Sequence, residues 1–371
     1  MKSRAAVLFE SPGRWEVVDT EVDGPKDNEV LVRMVASGLC HSDVHYNLGD
    51  QATRLPVCGG HEGAGVVEEI GRGVTRFKPG DHVVTSFIPS CGHCRYCATG
   101  RQNLCADGAQ LQRGPQLDGT YRMHHGDTDL SQFMLLGTFS AWSTVSERSL
   151  VKVPTDLPLE TLCLLGCGVG TGFGSATKAA QVQTGDVVIV MGVGGVGVNA
   201  VQGAALAGAS AVIAVDPIPF KLEFAAKLGA THAFSHIDEA ADFARSITDG
   251  QGADSVIVTI DVVTGEHVGQ AVNALAKGGT AVITGMASLK EPSSIPVNIL
   301  MLAGYQKRIQ GCLYGTGSPN VEVLREIDLY RAGQLKLDEL VTTRYRLDDI
   351  NLAVDDLLAG RNIRGVINHQ H

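Results

Sequence analysis

The chain has 371 residues, which at about 150 residues per domain predicts two domains. Its 30 Lys and Arg against 40 Asp and Glu leave a net charge of −10, which excludes a basic footprint for nucleic acid as the main binding device. With 44% hydrophobic and 19% charged residues the chain is too apolar to stay disordered, and no segment reaches the roughly 20 uninterrupted apolar residues of a membrane span. The opening Met1–Glu10 has neither a long apolar run nor a cleavage site, so a cytoplasmic location is expected.

The first 150 residues read as short strands and turns. Val30–Val35 and Gly65–Ile70 are β-rich, and Gly71-Arg-Gly73 and Lys78-Pro-Gly-Asp81 punctuate them, the texture of a small barrel or sandwich. Two polar clusters interrupt it, Cys40-His-Ser-Asp-Val-His45 and Gly60-His-Glu62. Cys91, Cys94, Cys97 and Cys105 follow within fifteen residues at spacings of two, two and seven. Four thiolates this close can enclose a tetrahedral zinc with no open position, hence a structural site; iron–sulfur ligation is the rival. The segment from Leu111 to Leu136 reads as a long loop in which His124 and His125 are solvated. Cys58, Cys163 and Cys312 read as small buried hydrophobes, and Cys167, between Gly166 and Gly168, reads alone more readily as core than as a ligand.

After about residue 168 the texture changes. Asp186–Met191 is a continuous apolar run suited to a strand buried on both faces, and the Ala- and Gly-rich Val196–Ala207 suits a tightly packed helix. Ala211–Val215 then predicts a strand, Pro219–Leu228 a helix, and Ser255–Val258 and Thr280–Thr284 further strands with a helical pattern between them. This alternation predicts a doubly wound parallel sheet over residues 169–309, with 1–168 and 310–371 forming the β-rich domain. The tail reads as irregular from about residue 310 until a helix at Ile350–Leu358 and a strand at Gly365–Asn368.

Between the first strand and helix of that series lies Gly192-Val-Gly-Gly-Val-Gly197, with Asp216 closing the second strand. Gly192 permits the tight turn, Gly194 lets backbone approach a pyrophosphate, Gly195 and Val196 complete the loop, and Gly197 allows close helix–strand packing. The helix N-terminus presents N–H groups to phosphate, while Asp216 accepts ribose hydroxyls and repels a 2′-phosphate, so NAD is favoured over NADP.

These motifs, in this order over essentially the whole chain, resemble the zinc-containing alcohol dehydrogenases of the medium-chain dehydrogenase/reductase superfamily. The residues that carry the likeness are Gly38-Leu-Cys-His-Ser-Asp43, Gly60-His-Glu-Gly-Ala-Gly65, the four-cysteine lobe, Gly166-Cys-Gly168, the glycine loop and Asp216. The resemblance implies an α/β chain with a GroES-like catalytic domain and a Rossmann domain, two zinc ions per subunit, and NAD. It assigns the catalytic zinc to Cys40, His61 and Cys167, the Cys₂His set that alcohol dehydrogenases use with one position open. Glu62 then lies near the metal, Asp43 fixes the His61 ring, and Ser42 passes the alcohol proton by way of the cofactor ribose to His45 at the surface. Lys221 joins Asp216 at the adenosine ribose, Arg364 and His41 reach the pyrophosphate, and Thr171 and Thr284 lie at the cofactor. Phe87 and Trp142 are implied as substrate-pocket walls, with plain core aromatics as the alternative.

A narrower likeness runs through Ser86-Phe-Ile-Pro-Ser-Cys-Gly-His-Cys94, Gly100-Arg-Gln-Asn-Leu-Cys105, Gln116-Leu-Asp-Gly-Thr-Tyr121 and Gly168-Val-Gly-Thr-Gly172. These are similar to the nicotinoprotein branch, whose members retain NAD(H) and pass reducing equivalents to an external acceptor such as N,N-dimethyl-4-nitrosoaniline. One residue departs from the wider family: His41 stands where many relatives carry an arginine on the pyrophosphate, and a histidine is largely neutral above a pKa of about 6.5. An NAD-exchanging dehydrogenase and an aldehyde-disproportionating relative are therefore the alternatives, and a zinc-module nucleic-acid binder is disfavoured by the net charge. The expected partners are a small alcohol or aldehyde, an external redox acceptor and further copies of the chain, with neither nucleic acid nor membrane.

Overall fold

The computed structural model describes residues 1–290 and 294–370. The chain divides into two compact units, Met1–Cys167 with Ser318–His371, and Gly168–Gly317. Among the described residues no helix is long and apolar enough to cross a membrane.

In the first unit, strands Lys2–Leu8, Glu16–Val22, Met123–His125, Thr128–Gln132 and Val57–Cys58 close a small barrel. A second sheet is centred on Glu29–Leu39, which pairs antiparallel with Glu62–Ile70, Trp142–Ser146 and Arg364–Asn368. The central strand, apolar except at Glu29, Arg33 and Ser37, is buried on almost every residue. Its register puts Gly38 opposite both Glu62 and Val366, so a residue from the far end of the chain is fixed beside the 38–62 region. Apolar packing around Trp15, Tyr46, Phe133 and Phe139 supports that region from beneath.

The expected loop from 111 to 136 is instead partly a hairpin: Met123–His125 and Thr128–Gln132 pair antiparallel around Gly126, whose φ is +57°. Alternation there is short and interrupted by charge, which hid the strands from a reading of periodicity. The tail is also more regular than its sequence suggests. Pro319–Arg331 is a thirteen-residue helix with proline in its first turn, and Val341–Arg346 is a strand parallel to Arg364–Asn368. That parallel pairing is made possible by the crossover helix Ile350–Leu358. The 319–331 helix leaves Val321 and Leu324 exposed while burying Glu326, so its apolar pattern does not match its buried face.

The second unit is a six-stranded parallel sheet in the order His232–Phe234, Ala211–Val215, Val187–Met191, Ala253–Val258, Leu275–Ile283 and Arg308–Gly311. The central strands are buried throughout, and helices such as Gly197–Leu206 and Gly265–Ala274 join successive strands. The order reverses beside Val187–Met191, the place where a doubly wound sheet opens a crevice at the carboxyl ends of its strands. The unit runs past residue 309, because Arg308–Gly311 is hydrogen-bonded to Leu275–Ile283.

Candidate active site

The four-cysteine lobe folds as short turns whose backbone N–H groups point at sulfur. Cys91 N–H donates to Cys105 Sγ at 3.4 Å, Cys94 N–H to Cys91 Sγ at 3.3 Å, and Cys97 N–H to Cys94 Sγ at 3.5 Å. The four sulfurs lie within 4.8 Å of one another, with Cys91 and Cys97 Sγ 3.8 Å apart. Zinc–sulfur bonds of about 2.3 Å in a tetrahedron set sulfur–sulfur edges of about 3.8 Å, so the cage fits a single metal ion. A [4Fe–4S] cluster, in which each thiolate binds its own iron, needs a wider one. N–H donation from Ala106 and Cys97 lowers the Cys94 thiol to about 6, whereas burial pushes Cys105 up to about 12. Four neighbouring sulfurs cannot all ionise without a cation to offset them.

The dispersed set converges as well. Cys40 caps the helix His41–Asn47, His61 ends the turn that leads into Glu62–Ile70, and Cys167 follows the turn Cys163–Gly166. One ligand atom from each of Cys40, His61, Glu62 and Cys167 lies within 4.8 Å of the others, and all four residues are buried. His61 Nδ1 pairs with Asp43 Oδ1 at 3.1 Å, and the same oxygen accepts the Gly60 N–H at 3.2 Å. Its Nε2 is buried and has no hydrogen-bond partner among the described residues. A buried imidazole nitrogen with no hydrogen-bond partner, beside two thiols, has the chemistry of a metal ligand. The sulfur chemistry agrees. Cys40, hydrogen-bonded by Cys167 and close to His61, is held well below the ordinary thiol range, and Cys167 is pushed well above it by Cys40 and by burial. Burial opposes a charged His61, but Asp43 and Cys40 outweigh it and raise its pKa. The residues present fit a zinc ion with two sulfur ligands and one nitrogen ligand.

Glu62 is buried against Arg364, whose guanidinium donates to Glu62 Oε2 and, at 3.2 Å, to the Leu39 carbonyl. Burial raises the Glu62 carboxyl to about 7 even though Arg364 pulls it down. Gly38 makes this pair possible, since a Cβ there would stand 2.1 Å from Glu62 Oε2. Arg364 is only 2% exposed and is tied through Glu62 to the cluster of Cys40, His61 and Cys167. Ser42 Oγ lies 3.7 Å from Cys40 Sγ, and His41, which opens the helix, is half-buried. His45 is buried rather than at the surface, with Nδ1 3.5 Å from Asp50 Oδ2.

Two aromatic rings stand edge-on to the His61 imidazole, Phe87 at 5.8 Å and Phe133 at 5.5 Å. Phe133 was not legible as a site residue: it lies 72 positions from His61, and no spacing rule connects them. Thr85, whose hydroxyl donates to the His61 carbonyl and accepts the Gly63 N–H, was missed for the same reason. Trp142 instead packs against the Val7, Leu31 and Met123 cluster, as a core aromatic.

In the second unit the glycine loop has the anticipated shape. Gly192 has φ +85°, and a Cβ on Gly197 would lie 1.9 Å from the Gly192 carbonyl. Gly194 faces open space apart from Lys221 Nζ at 4.0 Å, and Gly195 and Val196 lead into a helix whose N-terminus has no side-chain cap. Asp216 holds the loop: its carboxylate accepts the Val193 and Ile218 N–H groups, each at 3.0 Å. Thr171 and Thr284 are joined through Ser175, whose hydroxyl donates to the Thr171 carbonyl at 2.7 Å and meets Thr284 Oγ1 at 2.8 Å. Cys312, read as buried, is half-exposed and accepts hydrogen bonds from the Ser175 and Thr316 hydroxyls, while Cys58 and Cys163 are buried.

Residues 26–155 match the alcohol dehydrogenase GroES-like domain family, and residues 195–328 match the zinc-binding dehydrogenase family. The chain is 51% identical over 371 residues to the NDMA-dependent alcohol dehydrogenase of Amycolatopsis methanolica, covering 100% of this chain and 99% of that one. It is 44% identical, at the same coverage, to alcohol dehydrogenase B of Mycobacterium tuberculosis. Among solved structures, benzyl alcohol dehydrogenase from Acinetobacter calcoaceticus superposes with a TM-score of 0.92 at 31% identity over 100% of both chains. The chain therefore belongs to the zinc-containing alcohol dehydrogenases of the medium-chain dehydrogenase/reductase superfamily, oxidoreductases that use zinc and NAD.

Proposed function

We propose that this protein oxidises small alcohols to aldehydes or ketones, reversibly, with NAD that stays bound through turnover and is reoxidised by an external acceptor. The observation that carries the alcohol reading is the meeting of Cys40, His61 and Cys167 around an orphaned imidazole nitrogen. The retained cofactor is supported by likeness to a relative named for its dependence on NDMA.

Zinc in such a site supplies a Lewis acid that lowers the pKa of an alcohol oxygen, and NAD supplies the hydride acceptor. The chain's residues do the rest. Cys40, His61 and Cys167 hold the metal, and the two sulfurs offset its charge. Asp43 fixes the tautomer of His61, so that Nε2 is the free nitrogen. Ser42 takes the alcohol proton, and His45, set against Asp50, receives it further along. Glu62, balanced by Arg364, stands at the edge of the cluster as an exchangeable fourth ligand. Cys91, Cys94, Cys97 and Cys105 hold the second zinc. The glycine loop, Asp216 and Lys221 bind the adenosine half of NAD, and Thr171 and Thr284 its nicotinamide half. None of the nine cysteines is paired in a disulfide, consistent with work in a reducing cytoplasm.

A second reading, an ordinary dehydrogenase that exchanges NAD, is favoured by His41 in place of a permanently charged arginine. Denaturing protein purified without added cofactor separates the two. Retention predicts about one NAD(H) per chain in the supernatant, and none there removes the retained-cofactor reading. Self-association is supported by the outermost strand Arg308–Gly311, exposed along its length, next to the helix Ile299–Gly304 with Ile299 and Leu300 about four-fifths exposed.

A further inference from the structure

The turn that carries Phe133 to the His61 ring is strained and held from behind. Met134 and Leu135 are consecutive non-glycine residues at φ +51° and +63°. Left-handed backbone is unfavourable at a residue that bears a side chain, so the surrounding structure must impose it. Two buried amides do so. Gln116 Nε2 donates to the Leu135 carbonyl at 3.0 Å and to Gln132 Oε1 at 2.9 Å. Gln132, oriented by that bond, has its own Nε2 within hydrogen-bond distance of the Leu136 and Thr144 carbonyls, each at 3.1 Å, and of Ser143 Oγ at 2.9 Å, to share its two N–H groups among them. Both glutamines are only 3% exposed, where a lost hydrogen bond is not replaced by water.

Gln116 is itself fixed by the turn that follows it. Its N–H donates to the Thr120 carbonyl and its carbonyl accepts the Gly119 N–H. Arg122, fully buried, then clamps that turn to the start of the strand Glu29–Leu39 through Asp118 and both oxygens of Glu29. A continuous run of hydrogen bonds thus leads from the Gln116–Tyr121 segment to the backbone beside Phe133. Phe133 touches both Tyr46, at 4.7 Å between ring centroids, and His61.

We propose that Gln116 is a positioning residue. Through Gln132 and the strained 134–135 backbone it holds the Phe133 ring against His61, and so sets the apolar wall beside the metal-ligand cluster and the orientation of that ligand. The kinetic part of this inference rests on the alcohol dehydrogenase reading; the spectroscopic part does not.

The test is Gln116→Met, which keeps side-chain length and deletes both N–H bonds, made alone and together with Phe133→Ala. Positioning through Phe133 predicts that Gln116→Met raises KM for benzyl alcohol about fivefold and KM for ethanol less than about twofold, with kcat changed less than either. In the Phe133→Ala background the same substitution leaves the KM values where Phe133→Ala set them. The ligand-field absorption of the cobalt(II)-exchanged protein shifts in the Gln116→Met variant and shows no further shift in the double variant. A fall in Tm with unchanged KM ratio and unchanged cobalt bands overturns the proposal, as does an equal effect in both backgrounds. Should Gln116→Met fail to fold, Ser143→Ala, which removes one partner of Gln132, is expected to give the same pattern at about twofold; its absence there overturns the proposal equally. Wild-type protein that turns over no alcohol would defeat the functional reading while leaving the cobalt comparison to decide the positioning.

Discussion

The cluster of Cys40, His61, Glu62 and Cys167, which could hold a metal ion, is the most informative group of side chains, because its pieces explain one another. Cys167 and the nearby His61 hold the Cys40 thiol well below its ordinary range, and Cys40 and burial hold Cys167 well above it. A divalent ion removes the conflict. Replacing Cys40 with Ser should therefore reduce metal content from two zinc ions per chain to one and abolish alcohol oxidation, with far-UV circular dichroism unchanged. Elemental analysis reads the first outcome, and full zinc occupancy with normal turnover contradicts the assignment. Glu62 and Arg364 form a second coupled pair, both buried, beside the ligands. Arg364→Met leaves a buried carboxyl without its cation and should lower the unfolding free energy in urea by about 3–5 kcal/mol. Adding Glu62→Gln to that variant should restore part of the loss, since the charge stranded by the first change is then absent.

At the level of elements, function sits where strands and helices end. The helix His41–Asn47 begins directly after Cys40, the strand Glu62–Ile70 directly after His61, and the Gly192–Gly197 turn joins a strand to a helix. The Gln116–Arg122 turn belongs to this class. Burial opposes ionisation of Asp118, yet the Thr120 N–H and Arg122 hold its carboxyl down at about 2. A carboxyl that ionises more readily when folded adds stability above its unfolded pKa, and that contribution is lost as pH falls toward the folded value. Wild-type protein should thus lose stability between pH about 4 and about 2 in part through this group. Asp118→Asn should be less stable above pH 4 and fall less steeply below it, as urea midpoints at pH 5 and pH 2.5 would show. Equal slopes for the two proteins would mean that Asp118 carries none of the acid sensitivity.

For the whole molecule, the exposed apolar side chains of Ile299 and Leu300 beside an open strand edge are costly in an isolated chain. Leu300→Glu should shift the protein toward monomer in sedimentation at micromolar concentration while leaving its circular dichroism intact. An unchanged sedimentation coefficient would place any self-contact elsewhere. The same scale accounts for the tail. Val341–Arg346 has little apolar character of its own and is a strand because Arg364–Asn368 supplies its hydrogen bonds. The helix Pro319–Arg331 buries Glu326 and exposes Leu324, so tertiary packing, and not its own periodicity, selects its inner face.

Local chemistry was legible in the sequence wherever it lay in one short stretch: the four-cysteine spacing, the glycine loop with Asp216, and the strands of the parallel sheet, whose apolar runs need only burial to be realised. Tertiary structure alone decided what depends on residues far apart in the chain. The meeting of Cys40, His61 and Cys167, the pairing of Arg364 with Glu62, the burial of His45 and the arrival of Phe133 beside the imidazole all follow from strand register and turn geometry. Local patterns fix local dihedral angles and burial preferences. Distances across the fold are fixed only when the hydrogen-bond ladders close, and a sequence motif does not carry that information.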